Sequence, residues 1–169
     1  AEGTPQYLKK AAEAYGAKVY EQEPCLLEGE PVSSTRIRAA LRQGETAKAQ
    51  SLLGKPYEIA GIVAHGKQLG RKLGFPTLNF YPSEHKLMPK HGVYAAEAEV
   101  EGRRYAAVTN IGIRPTVKDG DALSIESNLI GFSEDAYGKK VSLRLVEFLR
   151  GEQKFDGLDA LKSQIAQDK

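Results

Sequence analysis

The sequence predicts a mainly β fold, an antiparallel barrel or sandwich with one closing helix, preceded by a short region of mixed helix and strand. Three observations lead there. At Lys55-Pro56 the helix-forming segments give way to short, often alternating apolar stretches separated by turns. Tyr57 to Ala64, Val93 to Val100, Tyr105 to Ile111, Ser124 to Ile130 and Val141 to Leu149 then follow with no helical pattern between them. Five or six strands without intervening helices favour an antiparallel barrel or sandwich over an α/β fold. Third, Glu101-Gly102-Arg103 between two of these stretches is a hairpin signal.

Taken in order, Thr4-Pro5 reads as an N-cap with proline at the first helical position, and Tyr7 to Tyr15 carries helix formers up to a stop at Gly16. Ala17 to Tyr20 reads as a short strand. Ser33-Ser34-Thr35-Arg36-Ile37-Arg38 opens a helix running to about Gln43, its hydroxyls placed to satisfy the first N–H groups. Arginines in the first turns are mildly unfavourable unless an anion shares the site, so a phosphate site and an ordinary cap with solvated arginines both stay open. Gly44 ends this helix, and Glu45 to Leu53 forms another with Gly54 beyond it. Within the β region Tyr94, Ala96, Ala98 and Val100 share one face, as do Val141, Leu143 and Leu145. Asp135-Ala136-Tyr137-Gly138 is a turn, and Tyr57, Tyr81, Tyr94, Tyr105 and Tyr137 read as core and rim residues. A last helix starts at Asp156, with Leu158, Leu161 and Ile165 on one stripe able to cover the strands.

At 169 residues the chain is long enough for a real core, and 24 basic against 22 acidic residues give a net charge of +2, without the concentrated basic face of a nucleic-acid binder. No apolar run approaches a membrane span. One cysteine, Cys25, precludes an internal disulfide and makes a reducing cytoplasm the default location; His65, His85 and His91 lack the spacing of a zinc enzyme.

The stretch richest in chemistry is Gly66-Lys67-Gln68-Leu69-Gly70-Arg71-Lys72-Leu73-Gly74-Phe75-Pro76-Thr77-Leu78-Asn79. Glycines spaced by four can turn backbone N–H groups toward phosphate oxygens, and Arg71 and Lys72 add charge. Pro76 holds Phe75 extended, which places the Thr77 hydroxyl and Asn79 amide beside the loop. A hydroxyl there suits Mg²⁺, which prefers hard oxygen and takes few protein ligands. The spacing is that of neither common phosphate loop, and a plain glycine turn with solvated cations remains the other reading. Glu126 stands out because it lies inside a strand, opposite in face to Ile125, Ser127 and Leu129. A carboxylate so placed faces solvent or serves a site. Arg150, Lys154 and Phe155 at the end of the last strand could clamp a planar ligand, and Asn110-Ile111-Gly112 is either a strand-end turn or a ligand contact.

These residues together resemble the bacterial bifunctional riboflavin kinase/FMN adenylyltransferases, or FAD synthetases. The resemblance rests on His65-Gly66 with Gly70-Arg71-x-Leu73-Gly74-Phe75-Pro76-Thr77-x-Asn79, on His91-Gly92-Val93-Tyr94 and Asn110-Ile111-Gly112, on the Glu126 strand ending in Tyr137-Gly138-Lys139, and on Leu149-Arg150-x-Glu152-x-Lys154-Phe155. It implies a six-stranded antiparallel Greek-key barrel of the flavokinase kind over residues 55–169, with a C-terminal helix. The implied reaction is Mg²⁺-dependent transfer of the ATP γ-phosphate to the riboflavin 5′-hydroxyl, giving FMN and ADP. By matching positions Gly66, Gly70, Arg71, Lys72, Gly74, Pro76 and Thr77 would bind ATP, Thr77 and Asn79 the metal, and Arg150, Asn110 and Phe155 the flavin, with Glu126 as catalytic base. Residues 1–54 look like the α/β remnant of a Rossmann-like adenylyltransferase module, with Ser33, Ser34, Thr35 and Arg36 resembling its phosphate motif. That module's opening sequence is not present, so the chain is expected to be part of a longer protein and to lack adenylyltransferase activity by itself. The family usually carries Ala where Leu78 stands and Thr-His where Ser127-Asn128 follow Glu126. A flavin- or nucleotide-binding module without chemistry is the alternative function.

Overall fold

The computed structural model describes residues 4–64, 77–83, 85–116, 120–153, 163–164 and 167–168. The chain divides into two compact units, residues 1–32 and 33–169.

In the first unit, helix α1 spans Pro5–Glu13, with the Thr4 hydroxyl accepting from the Tyr7 N–H at 3.3 Å. No residue of this helix is buried. Ala17 to Tyr20, expected as a strand, is not one. Extended propensity needs a pairing partner, and the pairing in this unit falls later, between β1 (Leu26–Leu27) and β2 (Glu30–Pro31). Glu28 and Gly29 turn between them at φ 57° and 78°, the positive-φ pair that a two-residue hairpin requires.

The second unit opens with α2 (Ser34–Gln43) and α3 (Thr46–Leu53). The Ser33 hydroxyl accepts from the Arg36 N–H at 3.3 Å, and Gly44 and Gly54 end the helices in the left-handed conformation. Ala40, Leu41 and Ala49 form a small buried cluster against which Tyr57 and Leu87 pack, and the Leu41 carbonyl accepts from the Lys90 N–H at 2.8 Å. Both helices therefore belong to the same compact unit as the strands, whatever module they descend from.

The β region is a closed barrel. Its strands are β3 (Tyr57–Ala64), β4 (Leu78–Pro82), β5 (Gly92–Val100), β6 (Arg103–Thr116), β7 (Gly120–Leu129) and β8 (Lys140–Arg150), in the order β3-β4-β7-β6-β5-β8, all neighbours antiparallel. Closure removes the edge strands that a sandwich would leave. Alternation sets the inside. Tyr94, Ala96, Ala98 and Val100, then Ile111, Ile125, Leu129, Val141, Leu143 and Leu145, are buried together with Ile59, Val63 and Phe80. Tyr57 and Tyr105 pack on this core, whereas Tyr81 and Tyr137 are exposed. Among the described residues a polar pair is enclosed, the hydroxyls of Thr109 and Ser127 at 2.7 Å, one donating to the other. Burial pushes the Tyr94 hydroxyl up to about 12, and it donates to the Lys90 carbonyl, tying the segment before β5 to the core. Asn110-Ile111-Gly112 is not a strand-end turn but the middle of β6, which runs on to Thr116 by pairing with β7.

Candidate active site

The register of the barrel strings the chain's conspicuous polar residues along one row. Ala64 at the end of β3 lies opposite Asn79 on β4, Asn79 opposite Glu126 on β7, Glu126 opposite Asn110 on β6, Asn110 opposite Val93 on β5, and Val93 opposite Arg150 on β8. Directly opposed residues on neighbouring strands have Cβ atoms about 5 Å apart and point to the same face. That face is the outer one, because Phe80, Ile125, Thr109 and Ile111, one step along each strand, all lie in the core. Three residues read separately from the sequence, Asn79, Glu126 and Asn110, are thus adjacent on three neighbouring strands. The outer surface here is not plain solvent: Asn79, Ser124 and Asn128 are buried and Glu126 is half-buried.

Thr77 precedes β4 by one residue. The pleat counted back from Asn79 puts it on the same face, and the Asn79 Nδ2 donates to the Thr77 carbonyl at 3.5 Å. The glycine-loop residues Gly66, Gly70, Arg71, Lys72, Gly74 and Pro76, and Phe155, lie outside the described residues. Chain continuity still fixes both ends of the loop: it leaves Ala64 and returns to Thr77, beside the row at each end.

Arg150 ends the row in a clasp. Its Nε and Nη2 donate to the two Asp168 carboxylate oxygens at 3.1 and 2.6 Å, and its Nη1 to the Gly151 carbonyl at 3.3 Å. Gln164 also donates to Asp168, at 3.0 Å. Burial alone would raise the Asp168 pKa; the hydrogen bonds from Arg150 and Gln164 and the Arg150 charge outweigh it and hold the carboxyl below its ordinary 3.8. A carboxyl depressed in the folded state contributes stability above its ordinary value and loses it as pH falls through the folded one. Asp168→Asn is therefore expected to lower the stability of the chain by about 1–3 kcal/mol at neutral pH. The gap to wild type should close below pH 4, read from denaturant unfolding across pH; a gap independent of pH would refute the clasp.

Ser33 to Arg36 lie at the start of α2, where the Ser33 hydroxyl serves as a cap. Sequence reasoning gave no role to Glu152, whose Oε1 accepts from the Asn110 Nδ2 at 3.3 Å, or to Asp168. Neither is visible without the strand register, although Glu152 stands in a motif with Arg150. Leu78 and Ser127, two of the positions that depart from the resembled family, are opposite each other and inward-facing. The methyl lost at 127 is on the same side as the carbons gained at 78, so the two departures partly compensate in volume. Asn128 faces outward, opposite Val108.

Comparison with known proteins identifies the family. The family model described as "Flavokinase: Riboflavin kinase" matches residues 53–169. A bifunctional riboflavin kinase/FMN adenylyltransferase of Escherichia coli is 41% identical over 168 residues, 99% of this chain and 53% of the relative. The chain thus spans about half the length of the curated relatives it matches. Among solved structures, a Streptococcus pneumoniae chain described as a macrolide-efflux protein aligns with TM-score 0.86 and 33% identity over 98% of this chain and 53% of its own. A riboflavin kinase from Trypanosoma brucei aligns with TM-score 0.50 and 28% identity over 67% of this chain and 74% of its own.

Proposed function

Because the chain belongs to the riboflavin kinase family, we propose that it transfers the γ-phosphate of ATP to the 5′-hydroxyl of riboflavin, giving FMN and ADP, at the Asn79–Glu126–Asn110 row. The observation that carries this reading is that row: a carboxylate flanked on the neighbouring strands by two amides, on the face where the glycine loop starts and ends.

In the proposed reaction the riboflavin hydroxyl oxygen bonds to the γ-phosphorus as the bond from that phosphorus to the β,γ-bridging oxygen breaks. The hydroxyl proton passes to Glu126, and the electron pair leaves with ADP. A carboxylate is a weak base for a free alcohol, but in a loose transition state it need only orient the hydroxyl and collect the proton late. Asn79 and Asn110 hold the carboxylate's surroundings polar and fixed from either side. The glycine loop, with Arg71 and Lys72, would cradle the phosphates.

Thr77 and Asn79 fit a Mg²⁺-nucleotide in donor type: both offer neutral hard oxygens, and no group of three or more His, Cys, Asp or Glu among the described residues forms a cage that would favour another metal. When bound with ATP, Mg²⁺ would neutralise charge on the phosphate oxygens. The Asn79 amide, tied by its nitrogen to the Thr77 carbonyl, would keep the two donors in register.

Wild-type protein given ATP, Mg²⁺ and riboflavin is expected to release FMN and ADP in equal amounts; no FMN with riboflavin bound would leave a non-catalytic flavin binder instead. Thr77→Ala should raise the KM for Mg²⁺-ATP roughly tenfold or more while sparing riboflavin binding. An unchanged ATP dependence would remove Thr77 from the site. An FMN adenylyltransferase activity, named in relatives about twice as long, is proposed only for a longer parent containing residues 1–54 as the end of that module. No described helix is long and apolar enough to cross a membrane. A cytoplasmic location is proposed from the single cysteine, Cys25, which is exposed and free.

A further inference from the structure

Gly112 sits in the middle of β6, where glycine weakens a strand and calls for a reason. The reason is Glu152. A Cβ built at Gly112 would overlap the Glu152 carboxylate, so the missing side chain is what lets that carboxylate lie against the strand. There its Oε1 accepts from the Nδ2 of Asn110, two residues along the same outer face, at 3.3 Å. Asn110 in turn is the direct cross-strand neighbour of Glu126. One amide therefore stands between two carboxylates, Glu126 by strand register and Glu152 by hydrogen bond.

An asparagine amide has a donating and an accepting end, and the two can exchange by a flip of the side chain. An ionised carboxylate only accepts. With Glu152 in place the nitrogen must face it, and the Asn110 oxygen is then turned the opposite way as an acceptor. Riboflavin's ribityl chain is rich in hydroxyl donors, which an oriented amide oxygen beside Glu126 would receive. We propose that Glu152 is a positioning residue for the acceptor half of the site: it fixes the orientation of the Asn110 amide and through it the placement of the flavin alcohol next to Glu126. The inference rests on the riboflavin kinase reading above.

The test is a double-mutant cycle in the 169-residue chain. Glu152→Ala should lower kcat/KM for riboflavin roughly tenfold, leaving the KM for ATP and the thermal midpoint as in wild type, since Glu152 is exposed and misplacement of a reacting group is costly. In an Asn110→Ala background the same substitution should have no further effect. Gly112→Ala should reproduce the Glu152→Ala defect by displacing the carboxylate. Wild-type rates in Glu152→Ala, or independent multiplication of the Asn110 and Glu152 effects, would overturn the proposal. The side-chain amide resonance of Asn110 in ¹⁵N spectra provides a readout without turnover: it should move in Glu152→Ala, and an unmoved resonance also refutes the contact. If wild type makes no FMN at all, the kinase reading fails, and this resonance still decides whether Glu152 orients Asn110.

Discussion

Glu126→Gln is expected to lower the rate of FMN formation by roughly two to four orders of magnitude, the usual contribution of a positioned general base. Glutamine has nearly the same volume and keeps a hydrogen-bonding end, so packing on β7 is preserved. The side chain points away from Ile125 and Ser127, which are in the core, and is only half-buried, so the thermal midpoint should stay within a few degrees of wild type. Binding of ATP and riboflavin should survive, because both are held by other residues in the proposed site. The pattern sought is loss of kcat with KM little changed, which marks an interaction made in the transition state. A single-turnover assay measures it directly. Full turnover by Glu126→Gln would remove the base from the mechanism; a proportionate loss of riboflavin binding would make Glu126 a substrate-holding group instead.

What made Glu126 visible in the sequence was parity, and what hid its neighbours was register. Ile125, Ser127 and Leu129 mark one face of β7, so a carboxylate between them must lie on the other. Nothing in a single sequence says that Asn79 and Asn110 stop opposite it. The same contrast runs through the fold. Tyr94, Ala96, Ala98 and Val100 alternate cleanly, and all four are buried; Ser33, Gly44 and Gly54 cap and end α2 and α3 where cap chemistry places them. β4 is hidden in another way. Leu78, Phe80 and Pro82 alternate with Asn79 and Tyr81, but the strand is only five residues long and begins inside the Gly66 to Asn79 stretch, whose glycines, proline and cations read as a loop. The sequence predicts a strand over Tyr105 to Ile111, whereas β6 spans Arg103–Thr116 and includes Gly112 and Pro115. Its pairing with β7 carries it through both. Ala17 to Tyr20 shows the converse, strand-forming residues with no strand to join.

Gly92→Ala is expected to destabilise the chain by about 3 kcal/mol or more, since a forced backbone conformation and a steric overlap add at one position. Gly92 opens β5 at φ +146°, where L side chains are strained. A Cβ there would run into the Arg150 carbonyl oxygen and, at 2.7 Å, the Phe148 ring. Neither obstacle can yield cheaply. Phe148 packs edge-on against the fully buried Tyr94 with ring centroids 5.2 Å apart, and Arg150 is held by Asp168. The pairing of β5 with β8 is already irregular between Val93 and Tyr94, so the overlap falls beside a distorted part of the ladder. Gly102→Ala separates the two causes. That residue also has a positive φ, 78°, but its Cβ would meet nothing within 4 Å, so only the conformational cost of about 1 kcal/mol should remain. Chemical denaturation of the two variants beside wild type measures the difference. Equal losses would mean that the Phe148 and Arg150 contacts give way freely. A larger loss in Gly92→Ala, with reduced FMN formation by the folded fraction, would tie the close approach at Gly92 to the row that runs through Val93 to Asn110 and Glu126.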